Sequence, residues 1–103
     1  MVIMELSLFP LDKGESVSPY VARCLDIIDR SGLDYRVNPM GTVLEGELAP
    51  LLDVVRRCFD ALSADCHRIE CSIKLDYRKG RRDGLDSKIA SVEKKLGRAV
   101  KKS

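Results

Sequence analysis

Residues 68–78, RIECSIKLDYR, alternate without a break: Ile69, Cys71, Ile73, Leu75 and Tyr77 fall on one side, and Arg68, Glu70, Ser72, Lys74, Asp76 and Arg78 on the other. Helical side chains return to one face about every 3.6 residues, so a sustained period of two predicts a β-strand with one apolar face. A strand needs neighbours, and the chain offers three. VIMELSLF sets Val2, Met4, Leu6 and Leu8 opposite Ile3, Glu5, Ser7 and Phe9, and Pro10 closes it. LDYRVNP, ended by Pro39, and GTVLEGE flank Asn38, Pro39, Met40 and Gly41, whose turn chemistry predicts a hairpin.

Two segments between these strands change period. SPYVARCLDIIDRSG carries helix punctuation, with Ser18 as N-cap, Pro19 at the first helical position and Gly32 just past the end, and its stripe is Val21, Cys24, Leu25 and Ile28. APLLDVVRRCFDALSAD has Pro50 near its start and the stripe Leu51, Val54, Val55, Cys58 and Leu62. After the turn-rich KGRRDG, a third helix, LDSKIASVEKKLG, presents a thinner stripe of Leu85, Ile89, Val92 and Leu96.

The order is β-α-β-β-α-β plus a C-terminal helix, and right-handed crossovers place both main helices on one face of a four-stranded antiparallel sheet. The expected fold is therefore α+β and ferredoxin-like, a single domain over residues 1–103, with the second face of the sheet open. That topology gathers two polar clusters. At one end lie the close of the first strand, the helix start around Ser16, Ser18 and Tyr20, and the NPMGT turn; at the other lie EGE and the KLDYR end of the last strand. The open face would carry Ile3, Glu5, Ser7, Phe9, Ser72, Lys74 and Asp76, a mixed surface suited to packing against another sheet. A homo-oligomer with twofold symmetry, dimer or tetramer, through sheet faces or edges is the expectation.

Composition narrows the function classes. Three Tyr, two Phe and no Trp leave the core to aliphatic residues, with 45% of the chain apolar and 33% charged. No eighteen-residue apolar window and no leader-like N-terminus occur, so the expectation is a cytoplasmic protein without a membrane partner. Cys24, Cys58, Cys66 and Cys71 form no C-x-x-C pair and read as reduced thiols, with Cys24 and Cys58 in the core. Residues 1–71 hold 7 basic and 12 acidic groups, net −5, whereas residues 72–103 hold 11 and 4, net +7. Such a basic third attracts phosphate or nucleic acid, or is simply a solvated helix with a tail.

Catalytic signatures are scarce. The one histidine, His67, has no identifiable partner, and the spacing of Cys66, His67 and Cys71 matches no zinc pattern. KGRRDG lacks the strand–loop–helix lysine pattern of a P-loop. No enzyme activity, metal or cofactor is expected. A carboxylate on a partly dry strand, such as Glu45, needs a cationic or hydrogen-bonding partner, from the chain or from a ligand. Gly41 and Gly46 permit close approach to the backbone, or mark an ordinary turn and bulge.

ELSLFPL, SPYVARCLDII, MGTVLEGE and IKLDYRKGRRDGLDSKIASVEKKL together resemble the YkoF-like thiamine-binding protein family over almost the whole chain. The most specific parts are MGT-x-x-E-G-E and the K-x-D-x-R ending of the last strand, followed by a basic loop and a helix. The resemblance implies ferredoxin-like domains that assemble into dimers and tetramers through their sheets, and a ligand that is thiamine or a related pyrimidine or thiazole compound. On that reading Glu45 offsets the thiazolium charge or accepts from the amino group, and Gly41, Thr42 and Ser18 serve the pyrimidine edge. Tyr20 or Phe9 stacks, and Ser72 and Lys74 complete the candidate set. Two other readings compete. One is an assembly protein whose sheet-to-sheet packing is the function. The other, nucleic-acid binding through YRKGRR and the lysine-rich tail, lacks the interleaved aromatics of a base-stacking sheet.

Overall fold

The computed structural model describes residues 1–80 and 82–102. Arg81, within the basic loop singled out above, and Ser103 lie outside the described residues. The elements run β1 (Val2–Pro10), α1 (Ser18–Arg30), β2 (Asp34–Asn38), β3 (Gly41–Gly46), α2 (Leu48–Ser63), β4 (Ile69–Tyr77) and α3 (Gly84–Leu96). The strands form one antiparallel sheet in the order β2-β3-β1-β4. This is the ferredoxin-like α+β fold, in which each β-α-β unit leaves a gap that a strand of the other unit fills.

Period and burial agree where the sheet meets the helices. Val2, Met4, Leu6 and Leu8 of β1 are buried, and so are Leu44 of β3, Ile28 of α1 and Leu51, Val54 and Leu62 of α2. Removing one such aliphatic side chain from water contributes about 1.5–3 kcal/mol, which is why the stripes fix how α1 and α2 lie on the sheet. Cys24 and Cys58 face each other in this layer, and the Cys58 thiol donates to the Cys24 carbonyl oxygen at 3.7 Å. Its interaction with Cys24, together with burial, holds the Cys58 thiol well above the usual thiol range. Arg23 ties α1 to the end of α2, donating to the Asp65 carboxylate at 2.8 and 3.2 Å and to the Ala61 carbonyl at 2.9 Å.

Two expectations at the start of α1 need correction. Ser18 is not the N-cap of α1 but its first residue. The cap is Val17, whose carbonyl accepts the N–H groups of Tyr20 and Val21, each at 3.0 Å, and no side chain caps the helix. Pro19, with no N–H to satisfy and a φ suited to the first turn, falls second rather than first. The helix does end as expected, with Gly32 in the left-handed region at φ +79°.

The second face of the sheet is not wholly open. The first turn of α3 sits on it: the Gly84 N–H donates to Glu45 Oε2 at 2.6 Å, Leu85 is buried, and Asp86 and Lys88 pair with Arg36 at 3.4 Å and Asp76 at 2.6 Å. Past that turn Val92 and Leu96 are exposed, so only the start of the thin stripe is used, and the molecule extends 47 × 29 × 20 Å.

Nor does the apolar face of β4 become core. Ile73 and Leu75, paired in register with Leu6 and Met4, remain 40% and 46% exposed, because β4 is the edge strand beyond the reach of the helix layer.

Candidate functional site

At the end of the sheet where β1 closes, the β2–β3 hairpin and α1 stand apart and leave a cavity of about 330 Å³. The hairpin is tight: Asn38 pairs with Gly41, Pro39 and Met40 make the turn, and the Asn38 side-chain oxygen accepts the Met40 N–H at 2.9 Å. The turn brings Gly41 against β1, where an added Cβ would lie 2.8 Å from the Leu6 carbonyl oxygen. Glycine is required there by close approach of backbone to backbone.

The cavity's α1 side is Val17, Val21, Cys24, Leu25 and Ile28; β1 contributes Leu6 to Phe9, and the hairpin contributes residues 37–42. Among the described residues no charged one lines it. Its polar groups are the Ser7 and Thr42 hydroxyls and the Asn38 amide. Thr42 is 6% exposed, and its hydroxyl has no hydrogen-bond partner among the described residues. A buried hydroxyl without a partner is unusual, because leaving it so costs about 1–3 kcal/mol.

The residues selected from the sequence divide. Gly41 and Thr42 line the cavity, and Phe9 joins them. Ser18 and Tyr20 flank it: their neighbours Val17 and Val21 form its wall, while the Tyr20 ring carries the Arg23 guanidinium at 5.3 Å. Ser72 and Lys74 are exposed on the second face of β4, opposite Ser7 and Glu5 in register. Glu45 lies toward the other end of the sheet, opposite Ile3, 5% exposed, with the Gly84 N–H as its partner. The structure therefore does not bring Glu45, Ser72 and Lys74 together with Gly41 and Thr42. Sequence reasoning placed Asn38 in the polar cluster at this end without assigning it to a ligand, and passed over Val17, Val21 and Val37 as lining. Each looks ordinary in its own element, and only Asn38, next to Pro39, carried a turn signal.

A ferredoxin-like sheet holding a ligand-sized, mainly apolar cavity with few polar groups is the architecture of a small-molecule-binding domain. Residues 4–93 match the model of the thiamine-binding protein family, and the chain belongs to that family. It is 34% identical over 91 residues to a UPF0045 protein of Methanocaldococcus jannaschii, covering 88% of this chain and 91% of that one. A UPF0045 protein of Mycobacterium bovis is 36% identical over 96 residues, covering 92% and 94%. Among solved structures, the Methanocaldococcus protein superposes with a TM-score of 0.83, covering 88% of this chain and 94% of that one. A DUF77 domain from Bacillus cereus, 37% identical, gives 0.75 with 85% and 86% covered.

Proposed function

We propose that this protein is a non-enzymatic binder of thiamine or a related pyrimidine or thiazole compound and works as a homo-oligomer. The observation that carries the reading is Thr42, a buried and unpartnered hydroxyl inside an apolar cavity of a thiamine-binding family member. An aminopyrimidine is flat, neutral, and both donates and accepts hydrogen bonds, which a hydroxyl can answer in either sense. The uncharged lining suits that ring; the thiazolium cation stays toward the rim, where Met40 is 85% exposed, and keeps its hydration. Glu45 is therefore assigned to holding α3 rather than to the ligand. The one imidazole, His67, is exposed, with its backbone N–H donating to Asp12 at 2.7 Å, which supports a binder over a catalyst.

Isothermal titration with thiamine tests this. Saturable heat is expected, and Thr42→Val, which keeps the shape and removes the hydroxyl, weakens binding about tenfold. No heat at millimolar thiamine, or a Thr42→Val protein that binds as tightly as the parent, overturns it. Assembly as the function in its own right is favoured by one observation, the exposed apolar residues of α2 and β4, Leu52, Phe59, Ile73 and Leu75. That reading predicts an oligomer whose stability thiamine leaves unchanged.

A further inference from the structure

At the opposite end of the sheet, where β4 closes beside the start of β1, a cleft of about 790 Å³ opens between the strand end, the following loop and α3. It is the reverse of the apolar cavity in chemistry. Among the described residues Arg78, Lys79, Arg82 and Lys88 line it against one carboxylate, Asp76. Lys88 already holds Asp76 at 2.6 Å. Among the described residues Arg78, Lys79 and Arg82 have no carboxylate partner, so the loop side of the cleft keeps three cations without one.

A thiazolium cation is repelled by such a surface, and an anion of high charge density is drawn in. Ser87 and Ser91, one helical turn apart on α3, add hydroxyls on the same side, the mixture of cations and neutral donors that phosphate oxygens accept. Val92, 57% exposed, adds an apolar contact on the α3 side, while Tyr77 lines the strand end from the helix-layer face it shares with Leu75.

We propose that this cleft is a second binding site, for a small di- or triphosphate ester. The cations take the phosphate oxygens, and Ser87 and Ser91 donate to them. With one aromatic residue in its lining, the cleft differs from a nucleic-acid surface, which presents a basic groove with successive stacking rings.

The test is a nuclear magnetic resonance titration of the intact chain with adenosine diphosphate, inorganic pyrophosphate and adenosine as separate probes. Adenosine diphosphate is expected to shift the amides of residues 76–80 and 87–92 and to saturate below about 1 mM, with pyrophosphate moving the same amides more weakly. A Lys79→Ala, Arg82→Ala double variant, both residues exposed, is expected to weaken adenosine diphosphate by about tenfold or more while leaving thiamine-induced shifts around Thr42 unchanged. Absence of a saturable shift at about 10 mM overturns the proposal. So do shifts reproduced by sodium chloride at equal ionic strength, or a single-stranded RNA that binds these residues and is not displaced by adenosine diphosphate. Because thiamine is followed at Thr42, failure at one site is read separately from failure at the other.

Discussion

Gly41 and Gly46 stand at the two ends of one short strand, and each would bring an added Cβ within 2.8 Å of another atom. The atoms differ in kind. At Gly41 it is the Leu6 carbonyl oxygen, fixed by the β1–β3 ladder; at Gly46 it is Leu33 Cδ2, the tip of a side chain that can turn aside. Gly41→Ala is therefore expected to lower stability by about 1–3 kcal/mol, through a shift of the hairpin. Gly46→Ala should cost less than about 1 kcal/mol, because the lost freedom of the unfolded chain offsets part of the crowding. Urea midpoints of the two proteins check the difference, and equal losses would refute the distinction. Glu45 makes a similar comparison. Its carboxylate satisfies the Gly84 N–H, so Glu45→Ala leaves a buried donor bare and is expected to cost about 1–3 kcal/mol, while Glu45→Gln, which keeps an acceptor, costs less. Hydrogen exchange at the Gly84 amide that is fastest in the alanine protein, slower in the glutamine protein and slowest in the parent is the check. That Glu45 needed a partner was legible from a carboxylate on a strand. Its identity was not, because a backbone N–H leaves no mark in the residue alphabet.

At the scale of elements, β1, β3, α1 and α2 could be read because each buries a face against the core, and burial imposes a period; β4 keeps the period although most of both its faces stay exposed. α3 was legible as a helix but not in its docking, since only Gly84 and Leu85 at its start are buried. The alternation of β4 likewise gave the two faces and said nothing about what covers them. The cavity was hidden for another reason: its lining comes from three elements, and no segment carries enough of it to form a motif. The tail after α3 rests on one carboxylate. Glu93 accepts the Val100 N–H at 2.7 Å and pairs with Lys102 at 3.1 Å. The Val100 N–H, and then Lys102, hold the Glu93 carboxyl below its usual range. A depressed carboxyl pKa means that the folded tail favours the ionised form. Tail docking is then fully present above the ordinary carboxylate range and is lost as pH falls through the lowered value. Relative to its intrinsic exchange rate, the Val100 amide is expected to lose protection as pH falls through that range in the parent protein, and to show a weaker protection without that pH dependence in Glu93→Gln. Protection at Val100 that does not change with pH in the parent would refute this account.

For the whole molecule, the decisive feature is what remains uncovered. β4 runs nine residues at the edge of the sheet, with no strand beside its outer side among the described residues, and Ile73 and Leu75 face the side of the helix layer, which also exposes Leu52 and Phe59. A long edge strand with an apolar row is an association surface unless charge or proline blunts it; no proline lies in this one, and its charges, Glu70, Lys74 and Asp76, alternate with the apolar row and fall on the other face. A stable interface needs about 800 Å² from each partner, roughly a tenth of the 7071 Å² surface of this chain, and the edge with its flanking apolar rows is the candidate to supply it. Leu75→Lys places a cation on that surface without touching the cavity beside Thr42. Sedimentation velocity is expected to show an oligomer for the parent and a single chain for Leu75→Lys, with thiamine affinity preserved if the cavity is complete within one chain. A parent that sediments as a single chain would remove the oligomer from the proposed function. Loss of thiamine binding in a folded Leu75→Lys protein would instead mean that a neighbouring copy completes the site, an outcome in which assembly and binding cannot be separated.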